Sequence, residues 1–189
     1  RERLLAAAAR TFAAAGYANT SMRDLARASD MSLAGMYYYV KGKEDLLFQI
    51  QKSCFEKVLA GARSAVEREH GSEARLAAFI THHVTYFATH MAEMKVLAHE
   101  AEALSGPMYA EVQRIKREYV DFALALLGAL DGRGAAGRTE RQIAAYALFG
   151  MMNWIYTWYD PAGPVGADQL AESITRLFLN GYSVEVSAR

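Results

Sequence analysis

The sequence predicts an all-α protein of about nine helices, with a three-helix N-terminal head followed by a larger C-terminal helical bundle. Apolar residues recur at helical spacing along most of the 189 residues, and clusters of turn-forming residues separate these stretches. No stretch alternates apolar and polar residues as a half-buried β-strand does. With 52% apolar residues, the chain can bury one large core or a small core and a larger one.

The head contains the most specific local signals. A first helix ends at AAAGYANTS, and Ser21 with Asp24 three positions later fits the capping box that opens a second helix. Ser29 and Asp30 then interrupt the helical pattern, which predicts a tight turn with Asp30 in a left-handed conformation.

A third helix is predicted from Leu33 to Tyr39, with Ser32 as its N-cap and with Met36 and Val40 directed inward. Two short helices joined by a tight turn, between Thr20 and Leu46, are typical of a helix-turn-helix DNA-binding unit. The third helix is then the candidate recognition helix, which enters the major groove.

Small residues at the tip of this helix would let its backbone approach base edges, and Tyr37 and Tyr38 would contact phosphate oxygens. Tyr39 is expected in the core. Lys43 opens the next helix, where its charge and the free N–H groups together would bind a phosphate. The predicted DNA-binding residues are Thr20, Ser21, Arg23, Ser32, Leu33, Ala34, Gly35, Tyr37, Tyr38 and Lys43.

The charge distribution agrees with a DNA-binding head. The chain has no net charge, but residues 1–52 contain eight Lys or Arg and five Asp or Glu. The head therefore carries about +3 and the remainder about −3, a sign asymmetry that favours DNA at the head.

These residues resemble the tetracycline-repressor-like (TetR) family of transcriptional regulators. The resemblance covers Arg1 to about Leu47 and rests on AAAGYANTS, RDLARASDMS and MYYYVKGKEDLL. Asp30 stands where the family usually has Gly, and Val40 where many members have Phe. The resemblance implies a dimer with a DNA-binding domain over residues 1–47 and an effector-binding and dimerisation domain over residues 48–189.

Six further helices are predicted beyond the head. They run from Lys43 to about Glu69, Ser72 to Thr89, Met91 to Leu104, Pro107 to about Leu130, Thr139 to Tyr159, and Ala167 to about Tyr182.

The loop expected between residues 131 and 138 spells G-x-G-x-x-G with Gly132, Gly134 and Gly137. Because this motif follows a helix rather than a strand, we expect a flexible connection and no dinucleotide site.

Residues 142–159 lack charge but are shorter than the ~20 apolar residues that a membrane-spanning helix needs. We expect this helix to be sandwiched between its own domain and a partner copy.

Cys54 is expected to be a small buried or half-buried hydrophobe in a reducing compartment. Without a recognisable leader sequence, we expect a cytoplasmic protein with no membrane partner. Whether an N-terminal tail precedes Arg1 is left open.

An enzyme is the less favoured class of function. A di-iron bundle needs two Glu-x-x-His motifs, and only Glu67 to His70 fits, so no metal, cofactor or catalytic residue is predicted. Two alternatives stay open: a small-molecule-binding helical protein that does not bind DNA and, behind it, a helical-bundle enzyme.

The C-terminal part is rich in methionine and aromatic residues, most of which are expected to be core. Some are predicted to line an effector cavity, with His83, Tyr86, Tyr119 and Asn153 as its polar groups. The predicted ligand-binding residues are His83, Tyr86, Phe87, Met91, Met94, Tyr119, Phe122, Met151, Asn153, Trp154 and Trp158.

The segment FGMMNWIYTWYDPAG, Phe149 to Gly163, resembles a TetR branch that senses acyl-coenzyme A or related acyl compounds. The resemblance implies an apolar tunnel and a basic patch for the nucleotide phosphates. Arg114, Lys116 and Arg117 would supply the patch, although a solvated helix face explains them equally well.

The expected function is a repressor that a small apolar or acyl-CoA-type effector releases from a palindromic duplex operator. A homodimer would form through the last two helices, where residues 142–159 and the stripe of Leu170, Ile174, Leu177 and Phe178 meet their copies. The effector would tilt the helix starting at Lys43 and change the spacing of the heads, ~34 Å apart on DNA. The operator, the effector, the regulated genes and the sign of regulation are left open.

Overall fold

The computed structural model describes residues 1–100, 102–130 and 137–187, with side chains up to residue 181. Over these residues the fold is entirely helical, which confirms the predicted class. The elements are α1 (Glu2–Ala15), α2 (Met22–Ala28), α3 (Leu33–Tyr39), α4 (Lys43–Glu67), α5 (Ser72–Thr89), α6 (Met91–His99), α7 (Gly106–Leu130), α8 (Arg138–Asn153), a 3-10 helix (Trp154–Thr157) and α9 (Ala167–Ser187).

The described chain divides into two compact units. The first, unit 1, comprises Arg1–Glu56 and His90–Lys116. In it α1 packs on α2 and α6, and α2 packs on α3. Its core joins residues of the predicted head to residues of α6 and α7, including Phe12, Leu25, Met36, Leu46, Val96 and Val112. The domain boundary expected after residue 47 stays a prediction.

The second unit, unit 2, comprises Lys57–Thr89 and Arg117–Arg189. Here α5 packs on α8 and α9, and α8 packs on α9. Fully buried side chains from several helices form its core, including Leu76, Phe79, Ile80, Leu127, Leu148 and Met152. The helices α4 and α7 each begin in unit 1 and end in unit 2.

Three helix ends differ clearly from the sequence prediction, those of α6, α8 and α9. Helix α6 ends at His99 rather than Leu104, because the chain turns at Glu100, whose carbonyl accepts a hydrogen bond from Ala103 N–H. Leu104 is buried beyond that turn, so its apolar character reflects core packing and not a longer helix.

Helix α8 ends at Asn153 and continues as the short 3-10 helix rather than as one helix to Tyr159. This stretch is rich in aromatic and β-branched residues, which are weaker helix formers, and Pro161 follows shortly after. Helix α9 continues to Ser187, beyond the predicted end at Tyr182.

The glycine-rich loop lies largely outside the described residues, Gly132 and Gly134 among them. Gly137 is described, and it is the N-cap of α8.

Within the described part of the chain, no helix has the length and apolar character needed to cross a membrane. Cys54 is buried, as expected, and is not part of a disulfide.

The apolar stripe predicted on α9 is mostly internal. Leu170, Ile174 and Phe178 are buried in unit 2, and only Leu177 of the four is exposed. On α8, Ile143 and Tyr146 are also well exposed, so part of the uncharged helix does face outward.

Candidate DNA-binding and effector-binding sites

The N-terminus of α2 has the predicted capping box. Asp24 N–H donates to Ser21 Oγ at 3.2 Å, and Ser21 N–H donates to Asp24 Oδ2 at 3.0 Å. The hydrogen bonds from Ser21 lower the pKa of Asp24, and nearby Arg27 lowers it further. The reciprocal bonds satisfy two N–H groups of the first turn and fix where α2 begins.

The turn between α2 and α3 also follows the prediction. Asp30 adopts φ +54°, and Met31 N–H donates to Ala26 O at 3.0 Å across the turn. Ser32 then caps α3, since its Oγ accepts a hydrogen bond of 2.9 Å from Gly35 N–H. A Cβ at residue 35 would lie only 3.1 Å from Ser32 Oγ, so glycine suits this tight cap.

The candidate recognition helix α3 has one buried side and one open side. Met36 and Val40 are buried, as predicted, and Tyr38 is 85% exposed. Ser32, Ala34 and Tyr37 are exposed as well, whereas Leu33 and Gly35 are half-buried. The open side of α3 therefore presents small side chains near its N-terminus and tyrosine phenols near its C-terminus.

Tyr39 does not lie in the core. It is 44% exposed, and its ring packs edge-on against Tyr38 at 5.2 Å between centroids. Met36 and Val40 already occupy the inward positions four residues apart, which leaves Tyr39 at the rim of the helix.

Thr20 and Lys43 both form hydrogen bonds within unit 1, and their contacts with DNA stay predictions. Thr20 is buried, and its hydroxyl donates to Gly16 O at 2.8 Å. Lys43 Nζ donates to Tyr17 O at 2.8 Å and lies 4.3 Å from the centroid of the Tyr17 ring. Both side chains hold the loop after α1. Ser21 and Arg23 are exposed on the N-terminal turn of α2.

The predicted effector residues have their centre at His83, on α5, which is 2% exposed. His83 Nδ1 lies 2.9 Å from the Tyr119 hydroxyl, and Nε2 lies 3.1 Å from Asn153 Oδ1. Because an amide oxygen only accepts, Nε2 carries the proton and Tyr119 donates to Nδ1. Burial lowers the pKa of His83 to about 3, against the opposing effect of the Asn153 hydrogen bond, so the imidazole is neutral.

Aromatic rings surround this imidazole. The ring centroid of Phe87 is 4.8 Å away, and that of Phe149 is 6.0 Å away. Phe79 packs against Tyr119 at 5.3 Å. Phe79 and Phe149 were not among the predicted effector residues. Helical spacing was the available signal, since Phe79 precedes His83 by four residues and Phe149 precedes Asn153 by four.

Two more of the predicted residues join this cluster. Tyr86 packs edge-on against Phe87 at 5.2 Å, and Phe122 packs against Phe79 at 6.0 Å. We call His83, Tyr119, Asn153 and the surrounding rings the His83 cluster; its rings are those of Phe79, Tyr86, Phe87, Phe122 and Phe149.

The other predicted residues lie elsewhere. Trp154 and Trp158 are 61% and 60% exposed, because Ile155 and Tyr159 take the inward positions of that segment. Met151 is half-buried on α8. Met91 and Met94 belong to α6 in unit 1, where Met94 is buried.

The basic cluster on α7 is exposed at Arg114, Lys116 and Arg117. The Arg114 guanidinium donates two hydrogen bonds, of 3.0 and 3.1 Å, to the Glu111 carboxylate. This pairing, with Lys52 nearby, lowers the pKa of Glu111 to about 2. A solvated helix face thus accounts for Arg114 in this state.

An open groove of about 530 Å³ lies between the end of α4 and α5, with Arg68, Thr81 and His82 among its lining residues. None of the predicted effector residues lines it. Among the described residues, no three His, Cys, Asp or Glu side chains are grouped as metal ligands would be.

Comparisons with known proteins agree on one family. The model of bacterial regulatory proteins of the tetR family matches residues 4–50, and the model of the tetracyclin repressor-like C-terminal domain matches residues 69–182. The chain is 24% identical over 190 residues to the HTH-type transcriptional repressor KstR2 of Rhodococcus jostii (strain RHA1), covering 97% of this chain and 91% of KstR2.

Solved structures give the same result. A TetR-family transcriptional regulator from Bordetella parapertussis 12822 matches with a TM-score of 0.90 at 30% identity, over 96% of this chain and 94% of that one. AibR, solved in complex with isovaleryl coenzyme A and operator DNA, matches with a TM-score of 0.81 at 28% identity, over 93% of this chain and 96% of AibR. With a capped helix-turn-helix, an all-helical fold and family models that match both its N-terminal and C-terminal parts, the chain belongs to the TetR family of ligand-responsive, DNA-binding transcriptional repressors.

Proposed function

We propose that the protein is a cytoplasmic homodimeric repressor that binds a palindromic duplex operator through α3 and that a small apolar or acyl-CoA-type effector releases. The observation that carries the proposal is the exposed N-terminal end of α3, with Met36 buried on the opposite side of the helix. Both α2 and α3 are capped at their N-termini, by Ser21 and Ser32. Such a helix is rigidly held on one side and free to enter a major groove on the other.

The DNA contacts divide into two kinds. Ala34 and the backbone near Gly35 are at the tip, where base edges come within reach, and they would determine operator preference. Tyr37, Tyr38 and Arg23 would contact phosphate oxygens and position the head without selecting sequence. Lys43 would support DNA binding indirectly by holding the loop after α1, because its ammonium group donates a hydrogen bond to Tyr17 O.

The homodimer would form through exposed apolar residues of α8 and α9. Ile143, Tyr146 and Leu177 are each more than 60% exposed. Ile143, Tyr146 and Gly150 follow one face of α8 at i, i+3 and i+7, and the space around Gly150 is open, so that a partner helix can approach closely. Pairing α8 and α9 with their copies would bury this face in a four-helix seam.

The effector site would be the His83 cluster, where one neutral imidazole, one phenol and one amide sit among apolar rings. This composition suits an apolar ligand with a single polar group such as a thioester carbonyl. Asn153 is at the exposed end of the cluster and is the partner that a ligand carbonyl would replace on His83 Nε2. The isovaleryl coenzyme A held by AibR supports the acyl class.

Effector and operator would oppose each other. Helices α4 and α7 are continuous from unit 2, which contains the His83 cluster, into unit 1, which contains α3. A tilt of α4 on effector binding would change the spacing of the two heads. The reciprocal coupling in such systems is typically ~1–3 kcal/mol.

The test is a fluorescence anisotropy titration of a labelled duplex taken from upstream of the gene. Isovaleryl coenzyme A should lower the affinity of the parent protein for this duplex, and free coenzyme A should not. If isovaleryl coenzyme A and medium- and long-chain fatty acids all leave operator affinity unchanged, the effector class is wrong.

Variants separate the two sites in the same titration. Tyr38→Ala should weaken DNA binding roughly tenfold through the lost phosphate contacts of both heads. Tyr109→Ala, which removes an exposed tyrosine of α7, is the matched control and should bind as the parent does. His83→Phe should bind DNA normally and lose its response to the effector. Equal effects from both tyrosine variants would exclude α3 as the DNA-binding surface.

A further inference from the structure

A single residue at the end of α6, Glu100, is hydrogen-bonded to the loop after α1 and to helix α4. Its carboxylate Oε1 accepts a hydrogen bond of 2.9 Å from Tyr17 N–H, 83 residues earlier in the chain. Its backbone carbonyl accepts a hydrogen bond of 2.9 Å from Gln51 Nε2 of α4. The residue thus connects α6 with both the loop before α2 and the helix after α3.

The loop after α1 is shaped to present the Tyr17 N–H. Gly16 adopts φ +80° and ψ 150°, a conformation open essentially to glycine alone. Its own N–H still bonds to Phe12 O at 2.8 Å, and the chain turns sharply after it. The Tyr17 amide therefore leaves the helix ladder and has the Glu100 carboxylate as its acceptor.

Tyr17 is held from the other side as well. Its carbonyl accepts hydrogen bonds from Lys43 Nζ at 2.8 Å and from Thr20 N–H at 3.3 Å, and its ring lies beneath that same ammonium group. Thr20 directly precedes the Ser21 cap of α2. The position of Tyr17 therefore helps to fix the start of α2, whose N-cap follows it by only four residues.

The contact with α4 is partly buried. Gln51 is 1% exposed, and its amide donates to a carbonyl at the C-terminus of α6, one of the groups that a helix end leaves without an intrahelical partner. A buried amide without an acceptor would be costly, so the end of α6 and the middle of α4 are expected to stay together.

We propose that Glu100 is a positioning residue for DNA binding, whose carboxylate sets the orientation of α2 and α3 through the Tyr17 amide. The inference rests on the proposed DNA contacts of α3 and adds the residue that aligns them. Glu100 touches no DNA in this account. It acts only as a hydrogen-bond acceptor, and its charge is not required.

The test compares two neutral substitutions. Glu100→Gln keeps an oxygen acceptor for Tyr17 N–H, whereas Glu100→Ala removes it, so their difference isolates the hydrogen bond from the charge. Glu102→Ala removes an exposed carboxylate two residues away and is the control for charge alone. Backbone amide exchange followed by NMR and anisotropy with the upstream duplex are measured for all three and for the parent.

Exchange at the Tyr17 amide should rise roughly tenfold in Glu100→Ala and stay near the parent rate in Glu100→Gln and Glu102→Ala. Exchange across α2 and α3 should rise with it in Glu100→Ala only. The dissociation constant for the duplex should be roughly three- to tenfold higher in Glu100→Ala than in Glu100→Gln.

Equal exchange and equal affinity in Glu100→Ala and Glu100→Gln would overturn the inference. A rise confined to the Tyr17 amide, with α2, α3 and DNA affinity unchanged, would also overturn it, because the contact would then be local. If the parent itself does not bind the duplex, the proposed operator binding fails, while the exchange of α2 and α3 still decides the role of Glu100.

Discussion

Replacing His83 by glutamine should remove much of the acid sensitivity of unit 2. Burial lowers the pKa of His83 from its ordinary value of 6.5 to about 3. Below pH 6.5 the unfolded chain therefore binds a proton at His83, whereas His83 of the folded protein stays neutral until the pH approaches 3. The stabilisation from the neutral imidazole is complete above about pH 6.5 and is lost as the pH falls towards 3.

The size of the effect follows from this difference in pKa. At pH 5, about one and a half pH units below the ordinary pKa, this site is almost fully protonated in the unfolded state and neutral in the folded state. The free energy of unfolding is therefore about 2 kcal/mol lower at pH 5 than at pH 7.5. Glutamine has no titrating group, so this part of the pH dependence disappears, whatever the substitution does to stability at neutral pH.

The assay is urea denaturation followed by circular dichroism at both pH values. Protein concentration is held constant, because the stability of the proposed homodimer would depend on it. His70→Gln, at an exposed histidine, is the control and should keep the acid sensitivity of the parent. If parent and His83→Gln lose the same free energy between the two pH values, His83 is not a buried neutral group, and the description of the cluster is wrong.

Three further substitutions test other parts of the molecule. Ser21→Ala removes the cap of α2 and should lower the free energy of unfolding by about 1 kcal/mol, measured in urea; an unchanged midpoint and slope would exclude a stabilising cap. Gly61→Ala places a Cβ 2.3 Å from His82 Cε1 and should cost about 1–3 kcal/mol, with most of the loss restored by the second change His82→Ala; additive losses would refute the clash. Leu177→Glu puts a charge on an apolar side chain that is 66% exposed and should yield monomers in sedimentation velocity; an intact dimer would place the seam elsewhere.

The parts of the fold that the sequence predicted are those set by local chemistry. Ser21 and Asp24 are three residues apart, and so are Ser32 and Gly35, so the caps of α2 and α3 depend on neighbours alone. The left-handed Asp30 follows from the same short-range rules. Once these elements were in place, the inward direction of Met36 was a matter of helical spacing.

Contacts between distant residues were beyond such reasoning. The partners of His83 are 36 and 70 residues away, at Tyr119 and Asn153, and helical spacing gave only the type of residue and not the pairing. Lys43 was expected at a phosphate because it opens a helix. No local pattern indicates that the carbonyl of Tyr17, 26 residues earlier, accepts its hydrogen bond.

Competition for core positions explains the remaining differences. Trp154 and Trp158 have the composition of a pocket wall, but Ile155 and Tyr159 fill the inward positions of the same segment. Leu104 is apolar because it enters the core of unit 1 after a turn. In each case the apolar pattern was present, and packing decided which side chain was buried.

The most direct test of the account is selection of preferred duplexes from a random library by the parent protein and by Ala34→Gln. If the tip of α3 contacts base edges, the parent should enrich a two-fold symmetric sequence, and Ala34→Gln should change the preferred base at one or two symmetric positions of that sequence. An identical preference in both proteins, or no enriched duplex with the parent, would contradict the claim that this tip recognises DNA.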